Sequence, residues 1–177
     1  MKYLGVQLLF NTGITDVSDA SRRFCGQFSD IMSVLRKQSN EMSAVHLVKT
    51  CLPTLMYGCE AWTLTDGSLH KLKTDWNNCF RRIVILCWRK STRPLQFFCK
   101  SLPFYLLLDQ LKLNLWMKIP RSNNAVLQTL SSLNYYELLA ICSKYNIDTS
   151  HMSENIVKQT LWNVFSHTVD IIRLSVF

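Results

Sequence analysis

The basic side chains of residues 71–100, with aromatic rings between them, are the groups in this 177-residue chain best suited to chemistry. This segment contains eight lysines and arginines but one acid, Asp75. Trp76, Phe80 and Trp88 lie among the bases. Because cations attract phosphate and aromatic rings stack on nucleic-acid bases, the pattern predicts a nucleic-acid-binding surface. The alternative is a solvated cationic helix face whose aromatic rings point into the core.

Residue patterns for catalysis are missing from the sequence. Metal-dependent nucleotidyl transfer needs clustered carboxylates, but the chain has no Asp-Asp pair and no Asp-x-Asp. It has no Walker loop, no G-x-G-x-x-G and no G-x-S-x-G. Its histidines, His46, His70, His151 and His167, are far apart in sequence. We therefore predict no catalytic residue and no metal ligand, although a site assembled from distant residues stays open.

The cysteines indicate an intracellular protein. The chain has seven, an odd number, and no signal peptide is recognisable, which favours reduced thiols acting as small buried hydrophobic groups. Because no Cys-x-x-Cys occurs, a zinc site is not expected. The longest nearly apolar run, residues 104–119, is interrupted by charges and too short to span a bilayer. We predict no membrane partner and leave nucleus and cytoplasm as open alternatives.

Charge divides the chain into two parts. Residues 1–118 contain 16 bases and 8 acids, whereas residues 119–177 contain four of each. The whole net charge of +8 therefore lies in the first two thirds. The hydrophobic share of 48% is enough to build a core, so wholesale disorder is not expected.

Hydrophobic periodicity predicts a mainly α protein. Residues 2–10 form a short apolar run typical of one β-strand. Apolar residues at steps of three and four predict a first helix capped by Ser18 or Asp19. A second helix should begin near Ser43 and be kinked at Pro53, which lacks a backbone donor.

A third predicted helix, capped by Asp66, separates an apolar stripe from the basic residues. The polar residues 89–94 should break the pattern before a fourth helix capped by Ser101. Residues 120–124 form a turn or linker. Short helices near residues 125–130 and 136–145 and a last helix after Ser153 complete the prediction.

Several segments together resemble a known family. K-Y-L-G-V occupies residues 2–6, and C-L-P-T-L-M-Y-G-C-E-A-W-T-L occupies residues 51–64. C-F-R-R-I at residues 79–83 and W-R at residues 88–89 follow. In this order and spacing they resemble the C-terminal part of reverse transcriptases from non-LTR (LINE-type) retrotransposons of the jockey, CR1 and RTE kind. The resemblance covers residues 2–118.

The resemblance implies a fold and a domain division. In that family K-Y-L-G-V lies on the strand that leaves the palm, and the later segments belong to the thumb and the region after it. The implied fold is a helical thumb-like bundle with one short N-terminal β-strand left from a palm sheet. Residues 1–12 would be the strand remnant, residues 13–118 the thumb-like region, and residues 119–177 a helical extension of unknown role.

The resemblance also implies partners, namely an RNA template and a DNA primer strand held by their backbones. The positional candidates for these contacts are Lys71, Lys73, Arg81, Arg82, Arg89 and Lys90. The motif residues expected to be structural are Tyr3, Leu4, Gly5, Pro53, Tyr57, Gly58, Glu60 and Trp62. Among these, Tyr57 and Trp62 should pack a helix pair, and Glu60 should pair with a base or cap a helix.

The family's catalytic box is not found in this sequence. It is an aromatic-Ala-Asp-Asp turn expected before K-Y-L-G, where only Met1 stands. Mg²⁺ is implied for the full-length enzyme alone, and the family's C-terminal zinc knuckle is missing. We expect a non-catalytic fragment without a cofactor that retains RNA or DNA binding. The alternative is a small helical protein-interaction module, favoured by the many apolar positions and the neutral residues 119–177.

Overall fold

The computed structural model describes residues 2–3, 6–8, 15–35, 41–59, 64–119 and 135–174. This part of the chain is mainly α-helical, which confirms the predicted fold class. The chain forms two compact units, Met1–Phe104 and Tyr105–Phe177. The three-part division predicted from the sequence stays a prediction.

Seven helices are seen in the described residues. They are α1 (Ser18–Leu35), α2 (Glu41–Met56), α3 (Asp66–Ile83), α4 (Arg93–Phe98), α5 (Phe104–Lys118), α6 (Tyr135–Tyr145) and α7 (Glu154–Leu174). The predicted helix near residues 125–130 and the linker 120–124 lie outside the described residues. Helix α4 was not expected from the sequence, which indicated only a polar break.

The N-terminal strand prediction lies partly outside the described residues. The described parts are β1 (Lys2–Tyr3) and β2 (Val6–Leu8). They pair antiparallel, and β2 pairs in the same way with β3 (Thr15–Asp16). Gln7 is the shared residue, opposite Lys2 on one side and Asp16 on the other.

Helix starts differ from the predicted caps. Thr65, and not Asp66, caps α3: its hydroxyl accepts the Ser68 backbone N–H at 3.2 Å. At α1 the Asp16 carboxylate accepts the Ser18 backbone N–H at 2.8 Å, and this bond lowers the pKa of Asp16. A capping side chain must stand outside the helix to reach N–H groups two or three residues further on, which explains both shifts.

Among the described helices, three are followed by a non-glycine residue in the left-handed conformation, and α2 is followed by a left-handed glycine, Gly58. The three non-glycine residues are Ile85 (φ 52°), Lys100 (φ 49°) and Asn146 (φ 52°). The next N–H then bonds the carbonyl five residues back, as Leu86 does to Arg81 at 2.8 Å. This is the Schellman pattern of helix termination.

Ser101 belongs to such an ending and does not cap the following helix. Its backbone N–H donates to the Gln96 carbonyl at 2.8 Å and closes α4. Helix α5 begins three residues later, at Phe104. The Lys49 ammonium supports the same corner by donating to the Cys99 carbonyl at 2.6 Å, and burial lowers the pKa of this lysine.

The core of the first unit is aromatic. Trp76 is fully buried, and its ring meets Phe80 edge to face with centroids 5.0 Å apart. Phe24 of α1 lies 6.3 Å from the Trp76 ring, and the indole N–H donates to the Leu102 carbonyl at 3.3 Å. Buried aromatic groups of this kind bind α1, α3 and the residues before α5 into one hydrophobic core.

The Asn77 side chain links α3 to α4 through two hydrogen bonds. Its carbonyl oxygen accepts the Thr92 hydroxyl at 3.1 Å and the Gln96 amide at 3.0 Å. Thr92 and Gln96 are both buried, so each hydrogen bond replaces one that water would otherwise provide. Residues 89–92 are not helical, as the predicted break requires, but α4 begins at Arg93 inside the predicted break and is held by this polar contact.

The second unit contains most of α5, and α6 and α7. The Tyr145 hydroxyl and the Lys144 ammonium of α6 both donate to the Asp109 carboxylate of α5, at 2.5 and 2.8 Å. Lys112 pairs with Glu137 in the same helix pair. Helix α7 buries Val157, Leu161, Phe165 and Val169 at steps of four, which confirms the predicted last helix.

Candidate nucleic-acid interface

Helices α1 and α3 run side by side in the same direction. The Lys71 ammonium donates to the Ser18 hydroxyl at 3.0 Å, near the start of both helices. Ten residues further along α1, the Arg82 guanidinium lies 4.8 Å from the centroid of the Phe28 ring. The contacting residues follow one another in the same order along α1 and α3, so the two helices are parallel.

Asp75 lies between these contacts and is the one acid of the basic segment. Its carboxylate accepts the Ser21 hydroxyl of α1 at 2.5 Å. This hydrogen bond holds the acid in the junction between the two helices. No ion pair joins Asp75 to Arg81 or Arg82 within the described residues, and the carboxylate keeps its negative charge because a serine hydroxyl is neutral.

The candidate bases of α3 do not share one face. At about 100° per residue, Lys71 and Arg82 differ by about 20° around the helix axis. On the same count Lys73 lies about 160° from Lys71, on the far side. All three side chains are exposed. The basic helix is therefore cationic on opposite sides, and Lys73 is separated from the surface that contains Arg82.

A groove of about 720 Å³ lies beside the end of α3. Its walls come from α1, from α3 and from the turn after α3. It is lined by Cys25, Phe28, Asp75, Asn78, Cys79, Arg81, Arg82, Ile85, Leu86, Cys87 and Trp88. We call this feature the α3 groove. Two adjacent arginines and an exposed indole thus line one cavity, a combination suited to an anion that carries a flat ring.

Arg81 connects the helix to the turn that follows it. One guanidinium nitrogen donates to the Asn78 side chain at 3.2 Å and another to the Lys90 carbonyl at 3.4 Å. Its Nε is buried and has no hydrogen-bond partner in the structure. Arg81 is half-buried, so it positions residues 84–90 as well as adding charge to the α3 groove. Its backbone carbonyl also accepts the terminating bond from Leu86.

The turn after α3 exposes the remaining candidates. Trp88 keeps 73% of its surface exposed, and the Arg89 guanidinium lies 5.0 Å from its ring centroid. Arg89 and Lys90 are exposed. By contrast, Trp76 and Phe80 are buried. The two rings predicted to interleave with the bases on α3 are therefore core residues, and Trp88 is the ring that can meet a ligand.

The family-motif residues lie away from the α3 groove or outside the described part of the chain. Pro53 is exposed within α2, and Gly58 takes φ 76° just after that helix ends. Tyr57 keeps 57% of its surface exposed, so it does not pack inside a helix pair as predicted. Tyr3 ends β1. The other motif residues, Leu4, Gly5, Glu60 and Trp62, lie outside the described residues.

Five cysteines are buried, as predicted: Cys51, Cys59, Cys79, Cys99 and Cys142. Burial raises the pKa of the Cys79 thiol strongly, which disfavours a thiolate nucleophile there. Cys25 and Cys87 are exposed. Within the part of the chain that the structure describes, no three His, Cys, Asp or Glu residues cluster as a metal site would require.

Sequence reasoning missed Ile85. This residue lines the α3 groove and is 92% exposed, although isoleucine usually occupies core positions. Periodicity places Ile83 in the buried stripe of α3, and Ile85 lies outside it. The sequence contains one indication of this: Ile85 is an apolar residue that lies outside the buried stripe, close to the end of α3.

Comparison with known proteins identifies no relative of this chain. No protein-family model, no curated protein and no solved structure matches the chain. Among the helices of the described ranges, none has the length and apolar character needed to cross a membrane.

Proposed function

We propose that this chain binds RNA or DNA through the α3 groove, as a non-catalytic, thumb-like C-terminal part of a retrotransposon RNA-directed DNA polymerase. The observation that carries the binding proposal is the joint placement of Arg81, Arg82 and the exposed Trp88 around one groove. The sequence resemblance of residues 2–118 supports the polymerase origin.

The electrostatics of the groove favour a polyanion. Arg81 and Arg82 are in the last turn of α3, where the negative end of the helix dipole stabilises their charges but offsets part of their attraction for an anion. Arg89 and Lys90 add charge on the following turn. Asp75 is the one acid among the residues that line the groove, so its single negative charge stands against the two positive charges of Arg81 and Arg82. A phosphate would therefore meet a surface of net positive charge.

The proposal predicts binding that weakens steeply with salt. We would titrate labelled single-stranded RNA, single-stranded DNA and an RNA–DNA duplex with the full chain between about 50 and 200 mM salt. Each phosphate contact contributes about −0.7 to the slope of log K against log salt for single strands. The double variant Arg82→Gln with Arg89→Gln should therefore weaken binding and make that slope shallower by about 1.4.

A charge-matched control is available on α1. Arg22 and Arg23 are adjacent, exposed and outside the α3 groove. Arg22→Gln with Arg23→Gln removes the same charge and should change the slope far less. Equal effects of the two pairs would show diffuse attraction and contradict the groove. Circular dichroism of both variants checks that each is folded.

A protein-interaction module is the second candidate. Ile85 and Trp88 expose apolar surface in the same groove, which is typical of a protein interface. Such binding would depend on Trp88 but little on salt. A nucleic-acid titration without measurable affinity at low salt would therefore refute the first proposal and favour this one.

A further inference from the structure

Trp88 presents its ring to a ligand in an ordered setting. The Arg89 guanidinium stacks over the ring at 5.0 Å from the centroid, and 73% of the side chain still remains exposed. The turn that carries the ring is anchored, because Arg81 donates to the Lys90 carbonyl. A ring held in this way loses little freedom on binding, so stacking on it costs little entropy.

Ile85 forms the neighbouring part of the wall at a cost to stability. It is β-branched and adopts φ 52°, a conformation that such residues rarely take. Ile85 is nevertheless 92% exposed, so hydrophobic burial within this chain does not offset the backbone strain. Backbone strain of this kind is concentrated at functional sites. Ile85 and Arg82 also line a second cavity, of about 340 Å³, so both residues lie between this cavity and the α3 groove.

An arginine with a defined position lines the same groove. Arg82 lines the same groove as Trp88 and lies over Phe28, which fixes its guanidinium near the end of the α1–α3 junction. A planar guanidinium in a fixed place suits a phosphate, which it can bind through two parallel hydrogen bonds. A volume of about 720 Å³ is within the range of small-ligand sites.

From these observations we propose that the α3 groove is specific for single-stranded nucleic acid: one unpaired base stacks on the Trp88 ring, and Arg82 binds a neighbouring phosphate. This rests on the proposed function and adds the class of strand. In a duplex the base faces are already stacked and cannot reach the ring, whereas every unpaired base offers one. Because every base has such a face, the contact is tolerant of sequence.

The test compares strands that carry the same number of phosphates. We would measure fluorescence anisotropy with a labelled oligothymidylate of about 15 nucleotides, a length within the usual site sizes of single-strand binders. An abasic oligonucleotide of equal length, the matching duplex and vesicles of anionic lipid are the other probes. The full chain is compared with Trp88→Ala, and with Phe98→Ala as control, because Phe98 is 70% exposed but lies outside the groove.

Trp88→Ala should weaken binding of the oligothymidylate by about 5- to 150-fold, the range that stacking of one base on an aromatic ring gives. Its effect on the abasic strand should be small, and Phe98→Ala should leave both affinities unchanged. The wild-type chain should prefer the oligothymidylate to the duplex. Quenching of tryptophan fluorescence on binding should disappear in Trp88→Ala.

Three results would overturn the inference in different ways. Salt-dependent binding with equal affinity for the oligothymidylate and the abasic strand, and no effect of Trp88→Ala, refutes base stacking but leaves backbone binding standing. Absence of binding to all three nucleic-acid probes refutes the proposed function as well. Tighter binding to anionic vesicles than to the oligothymidylate, lost in Trp88→Ala, would identify a membrane-surface site and also overturn it.

Discussion

Replacing Ile85 by glycine should stabilise this protein. Ile85 ends α3 at φ 52°, where the following N–H of Leu86 bonds back to Arg81. Glycine is the usual residue at this position because it has no Cβ to clash with the backbone. A loss of apolar side chain is ordinarily destabilising, so an increase in stability would be a specific signature of the left-handed ending.

The size of the effect follows from three contributions. A left-handed residue with a Cβ costs roughly 1–2 kcal/mol. Glycine gives the unfolded chain more conformational freedom, and this opposes the gain in stability by roughly 0.5–1 kcal/mol. Ile85 is 92% exposed, so its removal sacrifices almost no hydrophobic burial. The two ranges leave a net gain of roughly 0–1.5 kcal/mol, and its midpoint of about 0.75 kcal/mol corresponds to a rise in Tm of about 1.5–3 °C for a chain of this size.

Urea denaturation of wild type, Ile85→Gly and Ile85→Ala, followed by circular dichroism, measures this gain. Ile85→Ala is the matched control, because alanine removes the exposed side chain but keeps the Cβ that causes the strain. Alanine should gain less stability than glycine. Asn146→Gly should change little, since asparagine tolerates its φ of 52°. A glycine variant no more stable than the alanine variant would refute the reasoning.

Three further predictions concern other parts of the chain. Asn77→Ala should destabilise the protein by about 1–3 kcal/mol in urea, because two buried donors at α4 lose their acceptor. Burial raises the pKa of Tyr145 from 10.0 to about 12, so its contribution to stability is complete below pH 10.0 and lost as the pH rises through about 12. Tyr145→Phe should remove this part of the decline in Tm at alkaline pH. Cys25 and Cys87, which are exposed, should react with a maleimide well before the five buried cysteines, as mass spectrometry of the labelled peptides would show.

The sequence alone was enough to predict the helices whose apolar faces are regular. Phe24 and Phe28 in α1, and Leu161 and Phe165 in α7, recur at helical spacing and are buried. A helix that buries one face has apolar residues at helical spacing in its own sequence. The fold class and most helices of the described residues were therefore predictable. Helix α4 was not, because a buried hydrogen bond to Asn77 holds it and not an apolar stripe.

Only the tertiary structure decided which basic and aromatic residues form a surface together. Trp76 and Trp88 are alike in sequence context, yet the first is buried between α1 and α3 and the second is exposed on the turn after α3. Lys73 and Arg82 are both exposed bases of one helix, yet only Arg82 lines the groove. Spacing along a chain fixes the angle of a side chain around its own helix, whereas its neighbours and its exposure depend on how separate helices pack.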